Sequence, residues 1–463
     1  MTLIKDTEVD GRRVDVRIAG GLVAEIGPRL SRQAGEEVLD AAGGALLPGL
    51  TDHHLHLHAL AAAATSVRCG PPTVRDVTQL ATALNTARGD EHGWVRGTGY
   101  VETVAGELNT AALDGLHAQR PVRVQHRGGA LWVVNTRAAD ALGLGRADHP
   151  GVERDATGAP TGRIWRADGW LRGRLPSASP PDLTDAGQAL LGLGVTAVTD
   201  ATPDLDTTAL HALASATRTG ALPQRLHLLG VPLDIPAPPG VTSGPYKIVI
   251  ADSGLPDLDD LTTRVRTAHA VGRGVAAHCL TREALVLLLA ALDDAGAHPD
   301  DRIEHAALVP QELVPELARR RLRVVTQPGF LADRGDEYLR HVPATDHPDL
   351  YRARSLLNAG IPLALSSDAP YGPLDPWAVI AAAVHRRTPD TQVAGPAERL
   401  APADALNAYL APPDNPGGPP RRVQQARAAD LVLLAEPLAT VLAAPSADTV
   451  RIAWIAGKPA NPA

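Results

Sequence analysis

The sequence predicts an α/β fold in which eight parallel strands and their helices form a (β/α)8 TIM barrel. Short apolar runs with β-forming residues alternate with helical patterns along the chain, which is typical of βα units and a parallel sheet. The helical segments at 258–272, 282–296 and 310–321 have the length that a crossover between parallel strands requires. The eight predicted strands cover 46–54, 195–200, 225–231, 246–251, 275–280, 302–308, 323–328 and 362–368.

Residues 70–190 are too long for one βα unit and predict an insertion after the first barrel strand. They contain two further strand-like runs, 94–101 and 121–126, with helical patterns between them. The barrel, with this insertion inside it, is predicted to extend over residues 48–419.

Both ends of the chain depart from the barrel pattern. Residues 1–47 and 420–463 consist of short strand-like runs separated by turn residues. A Pro- and Gly-rich stretch at 411–420 marks the return of the chain from the barrel. The sequence therefore predicts a small β-sandwich domain formed by both termini.

Composition favours an enzyme that works on small molecules. The chain has 463 residues, 44% of them hydrophobic, and a formal net charge of −8 without a clustered basic run, which predicts no nucleic-acid partner. Only two cysteines and no signal-peptide pattern are present, which predicts a cytoplasmic protein without a disulfide framework. The longest small apolar run, 59–64, is too short to span a bilayer, so no membrane partner is expected, and a homo-oligomer is left open.

The stretch PGLTDHHLH, residues 48–56, carries the main functional signal. In a strand, His54 and His56 project from one face about 6.6 Å apart, whereas His53 projects from the other face. Two imidazoles at this spacing can converge on one metal ion, whose bonds to nitrogen are about 2.0 Å long.

Further metal-binding side chains fall on separate predicted strands of the barrel. His278 lies on the fifth, His305 on the sixth, and Asp368 at the end of the eighth, where barrel enzymes place their chemistry. Lys247 lies in the fourth strand and is one of only three lysines among the 44 basic residues. A buried lysine can lose its proton, which an arginine does not. This donor set predicts one or two divalent ions, zinc by default, with iron or manganese as alternatives.

The motifs PGLTDHHLH, YKIVIAD, VAAHC, RIEHA and SSDAP resemble the amidohydrolase superfamily of metal-dependent hydrolases. Within it, the chain is similar to the branch that includes the N-substituted formamide deformylases. The similarity runs nearly end to end and includes WVRGTGY, GALWVVNTRAADALG, GAPTGRIWR, TQPGF and RSLLNAGIPLALSSDAPYGPLDPW.

The resemblance implies a site for two metal ions. One ion would be bound by His54, His56 and Asp368, and the other by His278 and His305. If only one ion is present, the resemblance places it between His54, His56, His278 and Asp368, and His305 then positions water or substrate.

Three of these side chains have implied catalytic roles. Lys247, carboxylated by carbon dioxide, would bridge the two ions together with a hydroxide that attacks an amide carbonyl. Asp368 would take a proton from the nucleophile and return it to the leaving nitrogen, and His305 would complete the catalytic set.

The substrate pocket is expected to differ from that of the branch. Ala130 stands where branch members typically carry a histidine, and Ser253 stands where they carry a glycine. Neither position is a predicted metal ligand, so the metal site is expected to be intact. Four residues are predicted to line the pocket: Tyr100, Glu102, Trp132 and Phe330.

These expectations lead to one leading hypothesis and two alternatives. The first is a metal-dependent hydrolase that cleaves a linear amide bond, such as that of an N-formyl or N-acyl amine. The alternative within enzymes is a mononuclear deaminase or a cyclic-amide hydrolase, and the resemblance implies that a deaminase would not need Lys247. A non-catalytic barrel protein is the third hypothesis, and the retained ligand set argues against it.

Overall fold

The computed structural model describes residues 1–176, 180–251 and 254–460. The chain divides into two compact units. The first combines Met1–Leu57 with Asp182–Ala463, and the second is His58–Pro181. The second unit overlaps the predicted insertion, whereas the domain boundaries that the sequence predicts within the first unit stay a prediction.

Eight parallel strands of the first unit lie where the sequence predicts them. The strands are β1 (Leu50–Leu55), β2 (Val195–Asp200), β3 (Arg225–Leu228), β4 (Tyr246–Val249), β5 (Val275–Cys279), β6 (Arg302–His305), β7 (Arg323–Thr326) and β8 (Leu363–Leu365). They form two sheets. One has the order β1, β2, β3 and then the two-residue strand Thr242–Ser243, and the other has the order β4 to β8.

Backbone hydrogen bonds connect the two sheets at two places. The amide of Lys247 on β4 donates to the carbonyl of Leu229, which follows β3, at 3.1 Å. The amide of Asp368, which follows β8, donates to the carbonyl of His54 on β1 at 2.8 Å. The carboxyl ends of β1 and β8 are therefore held next to each other.

The first predicted strand, 46–54, is two strands in the structure. Leu46–Pro48 pairs antiparallel with the carboxyl-terminal strand Leu431–Leu434, whereas β1 pairs parallel with β2. Gly49 separates them, and a Cβ atom there would lie only 2.2 Å from Cγ2 of Thr196. A residue without a side chain is needed where the chain passes so close to β2.

Helices follow most of the barrel strands, and their first turns have the caps that the sequence provides. Asp257 accepts from the amide of Asp259 at 2.8 Å, and Thr281 accepts from the amide of Ala284 at 3.2 Å. The α-helices of this unit are Thr184–Gly192, Thr207–Thr219, Leu258–Ala270, Arg282–Ala295, Val314–Arg319, Gly329–His341, Ala353–Asn358, Pro376–His385, Pro402–Asn407 and Leu438–Ala443. Short 3-10 helices cover Gln311–Leu313, Ala344–Asp349, Pro396–Glu398 and Ala447–Thr449.

The two ends of the chain form two four-stranded sheets, one from the amino-terminal end alone and one from both ends. In sheet order, one contains Leu22–Gly27, Arg12–Ala19, Thr2–Val9 and Glu37–Asp40. The other contains Lys458–Ala460, Val450–Ile455, Leu431–Leu434 and Leu46–Pro48. Side chains from both sheets form one buried apolar cluster, to which Ile4 and Val16 contribute from the amino terminus and Leu431 and Trp454 from the carboxyl terminus.

The second unit has a six-stranded mixed sheet. Two of its strands, Val95–Tyr100 and Val122–His126, lie within the predicted runs at 94–101 and 121–126. The others are Val67–Arg68, Leu131–Val134, Val152–Arg154 and Pro160–Trp165. The helices in or next to this unit are Leu57–Ala64, Val77–Thr86, Glu102–Ala105, Thr110–Leu116, Thr136–Leu142 and Asp168–Arg172, with a 3-10 helix at Leu144–Arg146.

The structure also bears on two of the predictions from composition. Cys69 and Cys279 are buried and are not joined in a disulfide. In the part of the chain that the structure describes, no helix combines the length and the apolar character that crossing a membrane requires. The cytoplasmic location stays a prediction.

Candidate metal centre

The end of β1 presents the two histidines of the HxH motif to one place. His54 lies within β1, whereas His56 lies one residue beyond its end, so the two do not share one regular strand as the spacing predicts. The amide of His56 instead donates to the carbonyl of Ala369, in the segment after β8, at 2.9 Å. The two imidazole ring centroids are 5.4 Å apart.

Two further histidines extend this pair into a row of four imidazoles. The ring of His305, at the end of β6, lies 4.8 Å from that of His54, measured between centroids. The ring of His278, on β5, lies 4.4 Å from that of His305. The structure therefore brings together the four histidines that the sequence predicts from three separate strands.

Asp368 directs a carboxylate oxygen at the first two imidazoles. Its Oδ1 atom is 3.2 Å from Nε2 of His56 and 3.5 Å from Nε2 of His54. This oxygen is buried and, within the described residues, receives no hydrogen bond. One ligating atom from each of the three residues lies within 4.8 Å of the others. Three electron-pair donors that face one another without protons between them fit a bound divalent cation.

Lys247 reaches the same place from β4. Its Nζ atom lies 3.4 Å from Nε2 of His54, and the residue is only 2% exposed. Burial lowers the pKa of the Lys247 amine, because taking the ammonium ion out of water is costly. The position favours the neutral amine, as the sequence predicts for a buried lysine.

The imidazoles of the HxH motif hold hydrogen-bond partners on the ring nitrogen that faces away from Asp368. Nδ1 of His54 is in close contact with a carboxylate oxygen of Glu304. Nδ1 of His56 lies 3.1 Å from Oγ1 of Thr202. In each ring, a partner at Nδ1 leaves Nε2 available as a ligand.

His305 is held in a comparable way by a neutral partner. Its Nδ1 atom lies 2.9 Å from Oε1 of Gln327, whose amide group in turn donates to Oγ of Ser366 at 3.0 Å. Burial keeps the pKa values of His54 and His305 well below the ordinary value of a histidine. Both rings are therefore neutral at physiological pH, which is the form that binds metals.

Two carboxylates of this region were missed in the sequence reasoning. Asp52 accepts hydrogen bonds from the amides of His54 at 3.1 Å and Ser367 at 3.3 Å, and burial raises its pKa to about 7. Glu304 precedes His305 in the motif RIEHA. The sequence signal that could have found them is a carboxylate within a short apolar strand, because a buried carboxylate requires a hydrogen-bonding or charged partner.

Phe330 is the predicted pocket residue that lies in the first unit. It is buried near the start of the helix Gly329–His341, 6.3 Å from Tyr351 between ring centroids, with the guanidinium of Arg334 4.6 Å from its ring centroid. Sequence reasoning missed Tyr371, whose ring centroid lies 5.4 Å from that of the predicted ligand His56. Tyr371 is thus an aromatic side chain next to the metal centre.

The other three predicted pocket residues lie in the second unit. The hydroxyl of Tyr100 donates to the carbonyl of Gly106, and the indole of Trp132 donates to Asp168 at 2.9 Å. Glu102 is exposed. The first two side chains are buried in their own unit, and a role of the three in substrate binding stays a prediction.

The chain departs from the pattern of the branch at two positions, Ala130 and Ser253. Ala130 precedes the strand Leu131–Val134 of the second unit, and its carbonyl accepts from the amide of Arg166 at 2.8 Å. Ser253 lies outside the described residues. The expected difference in the substrate pocket therefore stays a prediction as well.

The fold and the site are those of a metal-dependent enzyme, because the candidate ligands lie in or just after separate parallel strands and meet at the strands' carboxyl ends. A model of the amidohydrolase family matches residues 37–460. The chain therefore belongs to the amidohydrolase family, and the resemblance seen in its motifs is confirmed.

Comparisons with individual proteins agree with this membership. The chain is 26% identical to the N-substituted formamide deformylase of Arthrobacter pascens over 87% of this chain and 86% of that protein. An uncharacterized metal-dependent hydrolase from Pyrococcus horikoshii OT3 is 21% identical, with a TM-score of 0.74 over 94% of this chain and 97% of that chain. N-isopropylammelide isopropylaminohydrolase from Burkholderia multivorans is 17% identical, with a TM-score of 0.53 over 99% and 97% of the two chains.

The structural likenesses show a TIM-barrel-type fold, as the sequence predicts. The family match, together with the similarity to the formamide deformylase, identifies the protein as a hydrolase that acts on carbon–nitrogen bonds.

Proposed function

We propose that this enzyme hydrolyses a linear amide bond of a small molecule, such as that of an N-formyl or N-acyl amine, with the help of a divalent metal ion. The observation that carries the proposal is the buried Oδ1 atom of Asp368, which faces Nε2 of His56 at 3.2 Å and receives no hydrogen bond from the described residues. The similarity to a formamide deformylase over most of both chains supports the substrate class.

The geometry supports a set of metal ligands. His54, His56 and Asp368 would hold one ion, because their ligating atoms lie within 4.8 Å of one another, and His278 and His305, whose ring centroids are 4.4 Å apart, would hold a second. Zinc fits a site of imidazoles and a carboxylate, and iron or manganese fit it as alternatives. When bound, such an ion lowers the pKa of a coordinated water to about 7 and polarises the amide carbonyl.

Asp368 is the residue that moves the proton in this mechanism. Its Oδ1 atom faces the HxH motif, and its Oδ2 atom lies 3.9 Å from Nδ1 of His305. The carboxylate accepts the proton of the attacking water and donates it to the leaving nitrogen, because an amine is a poor leaving group until it is protonated. His305 lies beside this carboxylate, and its own Nδ1 atom is paired with Gln327.

Lys247 contributes as a carboxylated amine. Burial favours its neutral form, and this form attacks carbon dioxide to give a carbamate, with a nitrogen–carbon bond formed and one proton released to water. The carbamate would add two oxygen donors on the side of His54, which lies 3.4 Å from the amine. It would thereby complete a site for two ions.

One observation favours a second candidate function. The three ligating atoms of His54, His56 and Asp368 already lie within 4.8 Å of one another without Lys247. One ion held by this group is the arrangement expected for a mononuclear deaminase.

The first experiment is metal analysis of protein purified without a chelator, together with its intact mass under non-denaturing conditions. About two ions per chain with a carboxyl adduct support the linear amide hydrolase, to be tested next on N-formyl and N-acyl amines. About one ion without the adduct supports the mononuclear candidate. Protein that contains no metal and hydrolyses none of these compounds would overturn the proposal.

A further inference from the structure

We propose that Glu304 is a positioning residue that aims Nε2 of His54 at the metal ion and strengthens it as a ligand. This inference rests on the metal centre of the proposed function and adds a residue that the ligand set does not contain. Glu304 lies on β6, its side chain is fully buried, and one of its carboxylate oxygens is in close contact with Nδ1 of His54.

The contact crosses the interior of the first unit. Glu304 lies on β6 in one parallel sheet, and His54 lies on β1 in the other, so the two strands are not hydrogen-bonded neighbours. The bond therefore adds nothing to a strand ladder. Its direct effect is to fix the orientation of an imidazole ring.

Arg302 pairs with Glu304 through the carboxylate oxygen that does not contact His54. Its Nε atom donates to the second carboxylate oxygen of Glu304, and the arginine is only 1% exposed. Another guanidinium nitrogen donates to the carbonyl of His53 at 3.3 Å. This salt bridge satisfies the second carboxylate oxygen and makes the buried pair neutral as a whole. The carboxylate can then accept the Nδ1 proton of His54, which leaves the lone pair on Nε2.

The partners of the other imidazoles show why Glu304 matters. Thr202 offers a hydroxyl to His56, and Gln327 offers an amide oxygen to His305 at 2.9 Å. Both partners are neutral. An anionic acceptor pulls harder on the Nδ1 proton and makes the opposite nitrogen a better donor. Of these three rings, His54 is therefore the strongest ligand, and the first metal ion binds on its side of the site.

Two substitutions at one position separate orientation from charge. Glu304→Gln retains an oxygen that can accept the Nδ1 proton but removes the charge, and Glu304→Leu removes the acceptor altogether. We expect the dissociation constant for zinc, measured on metal-free protein by competition with a chromogenic chelator, to rise about 10-fold for the first and about 100-fold for the second. The absorption spectrum of the cobalt-loaded protein should change in the same order.

Two further variants keep the test independent of folding. Glu304→Gln combined with Arg302→Met removes the cation that the single substitution leaves unpaired, and it should bind zinc as weakly as Glu304→Gln alone while unfolding at a higher temperature. Asp301→Asn is the matched control, because Asp301 is also buried and also pairs with a histidine, lying 2.9 Å from Nε2 of His269. It should lower stability and leave zinc affinity unchanged.

The outcomes distinguish this inference from the function on which it rests. If folded Glu304→Leu and Glu304→Gln both bind zinc as tightly as the unmodified protein, the role of Glu304 is overturned and the metal centre stands. If only Glu304→Gln and the double variant do so, the strengthening of His54 by the charge of Glu304 is overturned. If Asp301→Asn weakens zinc binding as much as Glu304→Gln does, the effect is one of general stability and the inference is also overturned. If the unmodified protein binds no zinc, iron or manganese, the proposed function is overturned, and this inference with it.

Discussion

The Oδ1 atom of Asp368 lies 3.2 Å from Nε2 of His56, although the two residues are more than 300 positions apart in the chain. Two backbone hydrogen bonds between the end of β1 and the segment after β8 hold this pair. The amide of Asp368 donates to the carbonyl of His54 at 2.8 Å, and the amide of His56 donates to the carbonyl of Ala369 at 2.9 Å. The ligand atoms are thus placed by the backbone.

Asp368 itself has a left-handed backbone conformation, with φ at 54°. His305 shares this feature, with φ at 72°. The left-handed region costs a residue with a side chain of order 1 kcal/mol or more, and such strain is concentrated at functional sites. Two predicted ligands therefore have a strained backbone. This agrees with a site in which the direction of the ligating side chains matters more than the conformational preference of the backbone.

The first prediction concerns Asp368→Asn. The substitution keeps the size of the side chain and removes both the anionic ligand and the proton acceptor. We expect kcat/KM for the best amide substrate to fall about 10³-fold, within the range of general acid–base contributions, and zinc affinity to fall as well. Asp333→Asn, at a side chain that is 50% exposed, is the control and should change neither. An Asn variant with normal turnover would contradict the assignment of Asp368.

The second prediction concerns metal removal. Zinc binds the folded ligand set and has little affinity for the unfolded chain, so it stabilises the fold by mass action. At a free zinc concentration about 100 times the dissociation constant, the gain is about 2.7 kcal/mol. Dialysis against a chelator should therefore lower the unfolding temperature, and added zinc should restore it. The calorimetric trace of the Asp368→Asn protein should respond much less to either treatment.

The third prediction separates the two candidate functions through Lys247. Lys247→Arg keeps a long side chain with nitrogen donors but cannot form a carbamate, because a guanidinium does not lose its proton at accessible pH. If the bridged site is correct, Lys247→Arg and Lys247→Ala should both bind about one metal ion fewer per chain and lose the carboxyl adduct, with activity reduced about 100-fold or more. Full activity and full metal content in Lys247→Ala would instead support the mononuclear candidate.

The sequence could predict that the candidate ligands lie together, because their signals are local. The HxH spacing of His54 and His56 and the strand-like setting of Lys247 can be read from a few neighbouring residues. Glu304 could not be predicted in this way, because its role depends on contact with His54 on a strand of the other sheet. Burial of a charged side chain and its partner are both products of the fold.

The bounds of the strands also depend on contacts between residues that are distant in sequence. The run 46–54 reads as one strand, since its apolar residues are continuous, yet it divides at Gly49. The cause is the close approach of Thr196, which lies on β2 and is distant in sequence. Similarly, the strands Leu131–Val134 and Pro160–Trp165 of the second unit have weak patterns of their own and are stabilised by pairing with each other.

The fourth prediction follows from that division of the strand. Gly49→Ala places a Cβ atom 2.2 Å from Thr196, and neither the glycine backbone nor β2 can move freely in a packed core. We expect a loss of stability of about 1–3 kcal/mol, seen as a lower unfolding temperature. Gly115→Ala is the matched control, because a Cβ atom there meets nothing within 4 Å. It lies in the helix Thr110–Leu116 and should leave stability unchanged or slightly higher.

The fifth prediction concerns the pH dependence of stability and His227 on β3. Burial lowers the pKa of this imidazole from 6.5 to about 3, and its Nδ1 atom lies 2.7 Å from Oγ1 of Thr242. Between pH 6.5 and about 3 the unfolded chain binds a proton at His227 that the folded chain does not bind, so stability falls as the pH decreases through this range.

The loss approaches about 1.4 kcal/mol per pH unit once the unfolded histidine is fully protonated. Urea unfolding of metal-free protein at a series of pH values between 7 and about 4.5 measures this slope. The His227→Gln variant has no titratable group at this position. The decrease of its stability per pH unit should therefore be smaller by up to about 1.4 kcal/mol, whatever its stability at pH 7. An unchanged slope would show that His227 is protonated in the folded protein, because only a difference in proton binding between the two states produces the effect.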